Sequence, residues 1–478
     1  MVGKGARVKN KIILIHAATV SDDYPYHPFE LTFLAPVLED AGYEVIIMDQ
    51  RVVPEADWKK MLTDNLENTL WVGLTVITGP QIHYALKTCY YIRCELGSDV
   101  PLVWGGWHPT FLPEQTIKSQ MVDFIVMGIG EEKIVPLSKA IEARRVPSID
   151  GILTKASLNI LGHFSTKEQY AEPTRMPAYH LLDMDKYRSP RNWVGMITSR
   201  GCPFRCGFCT IRQVSYINRP VEAVLDEITY LVNEEGFDRV NFADGLFFAQ
   251  RNRVTKIMDG IEGRGLKFEW KGSCRPETFS RWNETEVERA VANGLVAVNT
   301  GIESGSDRML KLMRKDAVSM DALDLASLTG KFGIELTMYF LMGLPGETAE
   351  DLRASITHYH RLMERNQKVR LFQNFYQPIP GAPMYDDMIR MGFQPPASLE
   401  EWPRRISYNL ELKDIKPLPW LSPSEWSEYF DIYANSPFFA ERLHTPYNPE
   451  SGDMADAPFL TQPYSKASGK AYYEPACE

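Results

Sequence analysis

The chain has 478 residues and a net charge of −10, from 52 Lys and Arg against 62 Asp and Glu. At about 150 residues per domain, this length predicts roughly three domains. A composition with 44% hydrophobic and 24% charged residues is that of folded globular proteins, which excludes wholesale disorder, collagen and coiled coil. The acidic balance argues against a nucleic-acid partner, and no apolar run approaches the roughly 20 residues of a membrane span.

The amino terminus and the cysteines both bear on the compartment. Residues 1–11 are basic, but the apolar stretch that follows is short, contains His16 and lacks a small-residue cleavage site. We therefore interpret it as a core strand rather than a signal peptide. The seven cysteines are an odd number, and three of them fall within eight residues, which favours metal ligation in a reducing compartment over a disulfide framework. We expect a cytoplasmic protein.

From residue 11 to about 140, short β-branched runs alternate with amphipathic stretches, which is the pattern of a parallel, doubly wound sheet. The expected strands are Ile12–Ile15, Glu44–Met48, Trp71–Val76, Leu102–Trp104 and Phe124–Val126. The expected helices are Phe29–Ala41, Gln81–Glu95 and Ile134–Ala143. Each strand ends in small or polar residues, and open α/β sheets bind their ligands at the carboxyl ends of strands.

A second series of strands and helices follows a proline-containing stretch that we interpret as a linker. Its expected strands are Trp193–Thr198, Arg239–Phe242, Phe268–Gly272, Val296–Thr300, Glu335–Phe340 and Arg370–Tyr376. The helical stretches between them include Val221–Glu235, Arg251–Arg264, Thr285–Gly294 and Thr348–Arg365. Six such units predict a partial parallel β/α barrel.

The expected fold class is therefore α/β, with a Rossmann-like domain ahead of the barrel and a small, mainly helical segment after it. The expected boundaries are 1–145 for the first domain, 146–192 for the linker, 193–395 for the barrel and 396–478 for a cap and tail. The cap is rich in Trp, Pro and Tyr, and it forms either a lid over the open barrel face or ordinary packing against it. Residues 446–478 have the composition of a loose tail.

The sharpest local signal is a C-x3-C-x2-C spacing at Cys202, Cys206 and Cys209, just after the first strand of the second series. Three thiolates in one glycine-containing loop can all face one point. A structural zinc site usually takes four protein ligands, and no other Cys or His lies nearby in sequence. A [4Fe–4S] cluster with only three thiolates keeps one iron open to a small molecule. The alternative is a zinc knuckle completed from afar, or a chance grouping.

This motif, with Phe208 directly before its last cysteine, resembles the signature of radical S-adenosylmethionine (SAM) enzymes. The resemblance implies that Cys202, Cys206 and Cys209 hold a [4Fe–4S] cluster whose open iron chelates the amino and carboxylate groups of SAM. It also implies that the backbone around Phe208 contacts the adenine. One electron from the cluster would cleave SAM to methionine and a 5′-deoxyadenosyl radical.

Three later strand ends are similar to other motifs of that family. Residues 242–247 resemble its second-strand motif with one acid instead of two, because Gly245 replaces the second. Residues 301–305 resemble the fourth-strand motif, whose carboxylate accepts from ribose hydroxyls, and residues 340–347 resemble the fifth-strand G-x-P-G-E motif. The resemblance implies that SAM is bound by Phe208, Asp244, Arg275, Glu303, Ser304, Gly343 and Pro345, with Arg275 pairing either with the methionine carboxylate or in a surface ion pair.

The first domain is similar to the cobalamin-binding domains that are fused to some radical SAM barrels. Residues 103–110 and 122–132 carry this likeness, and paired glycines at a strand end let a bulky corrinoid tail enter between strand and helix. The resemblance implies base-off cobalamin above residues 75–81, with cobalt ligation by His16 or His108 as the alternative. The predicted cobalamin-binding residues are Thr19, Thr75, Thr78, Gly79, Gln81, Gly105, Gly106, His108, Gly128, Gly130 and Glu131.

The leading prediction is a cobalamin-dependent radical SAM enzyme that transfers a methyl group from methylcobalamin to an unactivated carbon. The alternative enzyme uses the same cofactors without net methylation, as in anaerobic oxidative cyclisation of a porphyrin side chain or in ring contraction. The non-enzyme alternative is a corrinoid-binding sensor or carrier with a vestigial cluster. The expected partners are a small-molecule or peptide substrate and a one-electron donor such as flavodoxin or ferredoxin.

Overall fold

The computed structural model describes residues 10–19, 25–156, 175–406, 415 and 417–436. Two six-stranded sheets dominate this part of the chain, one before residue 156 and the other after residue 192. Helices lie between successive strands in both halves, so the expected α/β fold is confirmed.

The first sheet has the strand order β2-β1-β3-β4-β5-β6 and is parallel except for β6, which runs antiparallel to β5. Its strands are β1 (Lys11–His16), β2 (Glu44–Asp49), β3 (Thr69–Thr75), β4 (Leu102–Gly105), β5 (Phe124–Val126) and β6 (Ile152–Thr154). Its helices are α1 (Phe29–Asp40), α2 (Glu55–Asn65), α3 (Pro80–Tyr90), α4 (Trp107–Phe111), α5 (Pro113–Ile117) and α6 (Ile134–Glu142). All five predicted strands are present, while α2, α4, α5 and β6 were not predicted.

Both faces of this sheet are buried, as a doubly wound architecture requires. Ile12 and Leu14 on β1 pack with α1 and α6, whereas Ile13 and Ile15 point to the other face and pack with α2 and α3. The strand β6 lies in the stretch that the sequence indicated as a linker. Its three residues are too few to show a strand pattern, and they extend the first sheet beyond residue 145.

The second sheet has the order β14-β13-β12-β11-β10-β7 with every pair parallel, which confirms the six-unit partial barrel. Its strands are β7 (Trp193–Met196), β10 (Arg239–Phe242), β11 (Glu269–Cys274), β12 (Leu295–Glu303), β13 (Glu335–Met342) and β14 (Val369–Phe375). A separate two-stranded ribbon consists of β8 (Ser199–Arg200) and β9 (Ile217–Asn218). Its helices are α7 (Val221–Thr229), α8 (Arg251–Gly263), α9 (Pro276–Phe279), α10 (Glu284–Ala292), α11 (Asp307–Leu312), α12 (Ser319–Lys331) and α13 (Ala349–Arg365).

Several of these helices begin at reciprocal side-chain caps. At the start of α10, the Asn283 side chain accepts from the amide of Glu286 while the Glu286 carboxylate accepts from the amide of Asn283. Thr348 and Asp351 make the same exchange at the start of α13. Such capping boxes satisfy amides that have no partner within the helix, and they fix where each helix begins.

The inner face of the second sheet contacts the first domain. Val194 and Met196 of β7 pack in the helix-side core, so Gly195 between them faces inward. A Cβ on Gly195 would lie 2.8 Å from the ring of Tyr26, which precedes α1. The Tyr26 hydroxyl accepts a hydrogen bond of 3.0 Å from the Asn241 amide on β10. The segment before α1 therefore covers part of the barrel interior.

The C-terminal part contributes three helices, α14 (Pro383–Arg390), α15 (Trp402–Arg405) and α16 (Pro423–Ala434). Trp402 is buried and donates from its indole to Gln115 of the first domain at 2.7 Å. Residues 446–478, the predicted tail, lie outside the described residues. Within the described ranges, no helix is both long and apolar enough to cross a membrane.

Gly294, at the turn into β12, is a position where the fold requires glycine. Its φ is +111°, and a Cβ there would lie 2.2 Å from the carbonyl oxygen of Phe268. We expect Gly294→Ala to lower the free energy of unfolding by about 2–4 kcal/mol, since backbone strain and overpacking add. The control Gly265→Ala, with φ +65° and open space around it, should cost about 1 kcal/mol. Equal thermal midpoints for the two variants would contradict this reading.

Candidate active site

The cysteine loop leaves β8 and is pinned at its centre by two backbone hydrogen bonds. The Gly207 amide donates to the Met313 carbonyl at 2.7 Å, and the Gly207 carbonyl accepts from the Met384 amide at 2.9 Å. Gly201 opens the loop with φ +69°, where a Cβ would lie 2.5 Å from the carbonyl oxygen of Ser215. The loop is thus held between the end of α11 and the start of α14.

The three cysteines of the loop are free, partly exposed thiols. Burial, together with the nearby Cys206 and Cys202, raises the pKa of Cys209 to about 11. Burial also raises the pKa of Cys202. The thiols are therefore close enough to interact electrostatically. In the part of the chain that the structure describes, no three His, Cys, Asp or Glu side chains are grouped tightly enough for a single metal ion.

Asp244, predicted to contact SAM, is buried and organises the approach to the cysteine loop. Its carboxylate accepts from the backbone amides of Thr198 and Ser199 and from both hydroxyls, at 2.5–3.1 Å. Gly245 stands where the second acid would be, and a Cβ there would lie 2.6 Å from Cδ1 of Ile211. The structure therefore gives Asp244 a positioning role beneath the loop, which sequence reasoning missed.

Arg275 lies directly beside the cysteine loop. Its Nη1 donates to Sγ of Cys206 at 3.5 Å, and its guanidinium lies 4.0 Å from the ring centroid of Phe204. Its Nε is paired with Glu277. Nη2 is buried and has no hydrogen-bond partner among the described residues. One donor of a buried cation thus remains available next to the thiols.

Glu303 ends β12 in a left-handed conformation, with φ +64°. Its carboxylate accepts from Nζ of Lys315 at 2.9 Å, and both side chains are largely buried. A Cβ on Gly301 would lie 2.0 Å from Oε1 of Glu303, so a side chain there would displace the Glu303 carboxylate. Lys315, whose Nζ lies 6.0 Å from the ring centroid of Phe208, is a cation near the loop that sequence reasoning missed because no motif contains it.

Ser304, the next predicted residue, is fully buried. Its hydroxyl lies 3.1 Å from the Ser355 hydroxyl on α13 and accepts from the Ser306 amide at 3.2 Å. These contacts fix the turn after β12 to α13.

The turn after β13 carries Gly343, Pro345 and Glu347. Gly343 has φ +71°, and a Cβ there would lie 2.3 Å from the ring of Phe375. The fully buried Glu347 carboxylate accepts from the amides of Gly343 and Leu344. Leu344 belongs to the apolar cluster against which Phe208 packs, so the turn and the cysteine loop border the same apolar core.

The predicted cobalamin-binding residues lie at the carboxyl ends of β1, β3, β4 and β5. Gly106 follows β4 with φ +96°, and a Cβ there would lie 2.7 Å from the carbonyl oxygen of Val76. Gly105 ends β4 beside Thr75, which ends β3. Backbone therefore lines this edge of the sheet, where side chains would obstruct a bulky ligand.

His108 is fully buried, and burial lowers its pKa to about 3. Its Nδ1 lies 3.0 Å from the Thr78 hydroxyl, and its ring meets the Trp402 ring edge-on at 5.6 Å. Nε2 is buried without a hydrogen-bond partner in the described chain. A neutral imidazole nitrogen without a hydrogen-bond partner among the described residues thus lies at this edge, next to the Trp402 ring.

Gln81 and the loop after β5 complete the first-domain edge. The Gln81 side chain accepts from the Ile77 amide at 2.6 Å and donates to the Ala17 carbonyl at 3.0 Å, which ties the ends of β3 and β1 together. Gly79 has φ +122° and precedes α3. After β5, the Gly128 amide donates to the Thr110 hydroxyl at 3.0 Å. A Cβ on Gly130 would lie 3.0 Å from the Leu34 side chain. The remaining predicted residue, Thr19, follows β1.

Glu131 joins this edge to the barrel. It is ion-paired with Arg200, which lies two residues before Cys202. The Arg200 guanidinium also lies 5.0 Å from the ring centroid of Phe33. On the other side, a Cβ on Gly381 would lie 2.6 Å from the ring of Phe111 in α4. The carboxyl ends of the two sheets therefore face each other across a shared interface.

The residues present fit the groups that the motifs imply. Three free thiols and the unpartnered Nη2 of Arg275 suit a cluster that also receives an anionic ligand. Glycine backbone at Gly105 and Gly106 and the unpartnered Nε2 of His108 suit a large ligand with polar substituents.

Comparison with known families agrees with both halves of this site. The family described as Radical SAM superfamily matches residues 196–358, and the family described as B12 binding domain matches residues 15–137. The fold and the site define a two-domain protein in which a doubly wound B12-binding domain faces a partial radical SAM barrel with a three-cysteine loop. Residues 15–137 therefore belong to the B12-binding domains and residues 196–358 to the radical SAM superfamily, and these two domains imply a [4Fe–4S] cluster, SAM and cobalamin as cofactors.

Individual relatives carry two different activities in their names. An uncharacterized methyltransferase of Pyrococcus horikoshii is 31% identical over 299 residues, which are 61% of this chain and 64% of the relative. An anaerobic magnesium-protoporphyrin IX monomethyl ester cyclase of Cereibacter sphaeroides is 25% identical over 402 residues, which are 79% of this chain and 63% of the relative. The chain thus spans less than two thirds of the length of either relative.

A solved structure has the same fold. The radical SAM methyltransferase TsrM from Kitasatospora setae superposes with a TM-score of 0.68 at 20% identity, covering 83% of this chain and 85% of that chain.

The role of Asp244 can be tested by Asp244→Asn. An amide places N–H groups against the donors of Thr198 and Ser199, so we expect the free energy of unfolding to fall by about 2 kcal/mol. We also expect less iron per chain after reconstitution, because the loop entrance loses its anchor. Asp238→Asn, at an exposed aspartate just before β10, is the control. Unchanged iron content in Asp244→Asn would contradict the assignment.

Proposed function

We propose that the protein is a C-methyltransferase that acts on an unactivated carbon of a small-molecule or peptide substrate. The observation that carries the proposal is that the predicted cobalamin-binding edge of the first sheet faces the cysteine loop of the second domain. Glu131 from the first edge is ion-paired with Arg200, two residues before Cys202. A methyl donor and a radical generator must reach the same substrate atom, and this arrangement brings their predicted binding residues to one interface.

The bound groups would supply an electron for cleavage of SAM and a methyl group for transfer. Cys202, Cys206 and Cys209 would hold the cluster. Arg275, through its unpartnered Nη2, would bind the carboxylate of SAM. The backbone after β3, β4 and β5 would hold the corrinoid, while the apolar cluster shared by the two domains excludes water from the interface.

The inner face of the second sheet would receive the substrate. Lys271 on β11 lies 4.5 Å from the ring centroid of Trp193, and burial lowers its pKa to about 8. Tyr339 and Phe372 stack on neighbouring strands, with ring centroids 5.4 Å apart. Aromatic faces together with a desolvated cation would orient a substrate that carries both apolar and anionic groups.

A cyclase or rearrangement enzyme is the second candidate, favoured by the named cyclase relative that aligns with 79% of this chain. It would use the same site without net methyl transfer. In either case an external one-electron donor such as flavodoxin or ferredoxin is required, and the free thiols suit the reducing cytoplasm.

The test is anaerobic purification with added cobalamin, reconstitution with iron and sulfide, and chromatography of products after adding SAM and a one-electron reductant. We expect 5′-deoxyadenosine and S-adenosylhomocysteine from the wild type, because remethylation of cobalamin by SAM needs no substrate. Cys206→Ala should abolish 5′-deoxyadenosine, since the cluster loses a ligand. Arg205→Ala, at the exposed neighbour in the same loop, should keep it.

The product pattern separates the candidates. 5′-Deoxyadenosine without S-adenosylhomocysteine would move the cyclase or rearrangement chemistry ahead of methylation. A folded, cluster-loaded protein that binds corrinoid and forms neither product would be a sensor or carrier, and the enzymatic proposal would fail.

A further inference from the structure

The C-terminal helix α16 reaches the turn after β13. The buried phenol of Tyr429 donates to Oε2 of Glu347 at 2.8 Å and accepts from the Gly343 amide at 3.0 Å. Trp420, which precedes the helix, donates from its indole to the Glu347 carbonyl at 3.3 Å. Two side chains of the C-terminal segment therefore converge on one residue of this turn.

Glu347 holds the turn in its observed shape. Its carboxylate gathers the amides of Gly343 and Leu344 and the Tyr429 hydroxyl around one oxygen. A buried carboxylate is costly unless donors surround it. Tyr429 is the one donor among these three that comes from outside the turn, so the turn depends on a residue more than 80 positions further along the chain.

Contacts that do not involve the turn anchor α16 itself. Tyr433 donates to Gln373 on β14 at 2.7 Å, and Glu428 pairs with Arg353 on α13 at 2.5 Å. At its start, the Ser422 hydroxyl accepts from the Glu425 amide and caps the helix. The helix is thus bound to the barrel by contacts that do not involve the turn, so it provides a fixed position from which Tyr429 can hold the turn.

We propose that α16 contributes to the SAM site through Tyr429, which is a positioning residue. Tyr429 holds the turn from Gly343 to Glu347 in the conformation that receives the adenosine of SAM. This inference rests on the proposed function, because it takes the turn as part of that site. Tyr429 acts through Glu347 and the Gly343 amide. Because coupling between two sites is reciprocal, bound SAM stabilises the docked helix in return.

The charge on Glu347 gives this arrangement a pH signature. Burial raises the pKa of Glu347 to about 7; the hydroxyl of Tyr429 and the two amides lower it, and Asp351 on α13 raises it. Arg308 of α11 is the cation on this side, ion-paired with Asp351. Hydrogen bonds to a charged acceptor are roughly twice as strong as neutral ones, so SAM binds more weakly as the pH falls through the pKa of Glu347.

The experiment is equilibrium dialysis of radiolabelled SAM against the full-length protein, loaded with cluster and cobalamin, without reductant and across a pH series that brackets neutrality. Tyr429→Phe keeps the ring and removes the hydroxyl. We expect about tenfold weaker SAM binding at neutral pH, and we expect the acid-side loss of affinity to move to higher pH, because the pKa of Glu347 rises without its donor.

Tyr433→Phe is the matched control, since it removes a hydroxyl of the same helix that donates to Gln373 on β14. The ion pair of Glu428 with Arg353 and the Ser422 cap still hold the helix in place, so its SAM affinity and pH profile should equal those of the wild type. Glu347→Gln is a second variant that keeps the volume of the side chain but cannot ionise, so its SAM affinity should be weak and independent of pH near neutrality.

The outcomes are distinguishable. Wild-type affinity in Tyr429→Phe, or equal weakening in Tyr433→Phe, would overturn the positioning role while leaving the proposed function in place. If Tyr429→Phe does not fold, a wild-type pH profile in Glu347→Gln would overturn it instead. A wild-type protein that binds no SAM would overturn the proposed function and this inference with it.

Discussion

The meeting of two parallel sheet edges is the constraint on which the rest of this structure depends. Parallel strands send all their carboxyl ends to one side of a sheet, and here both such sides point into one interface. The ion pair of Arg200 with Glu131 crosses it, and a single apolar cluster runs through it from Ile13 on β1 to Leu344 after β13 and Trp402 of the C-terminal part. The predicted residues of the two cofactor sites therefore lie on either side of one interface between the domains.

Buried charged residues lie at the strand ends around the cysteine loop, and their contacts help to fix the geometry of the site. Five charged residues of this region are each less than a tenth exposed: Asp244, Arg275, Glu303, Lys315 and Glu347. Each is hydrogen-bonded or ion-paired to another side chain or to a backbone amide. Burying such groups costs more than most pairs return unless further hydrogen bonds satisfy them. The geometry is therefore set before any ligand arrives, because each of these residues is held by neighbours that are themselves packed.

The sequence predicted the strands of both sheets and many of the candidate site residues at their ends, since β-branched runs and strand-end glycines are local signals. The strand from Arg239 to Phe242 was predicted residue for residue. What it could not reveal were partners joined only by the tertiary fold. Lys315 stands in no motif, and Tyr429 is separated from Glu347 by 82 positions. Asp244 was found by resemblance, yet its four bonds to Thr198 and Ser199 depend on how β7 and β10 pair.

The contact of Tyr26 with Gly195 and Asn241 bears on how such a chain can be divided. Its side chain leaves the first domain and forms part of the wall of the barrel interior, where it shields the backbone of β7 and an asparagine of β10. A fragment beginning at residue 193 would expose that backbone to solvent and lose one side of the barrel interior. The two halves consequently share one wall, and a barrel joined to a different domain would need an equivalent side chain from that domain.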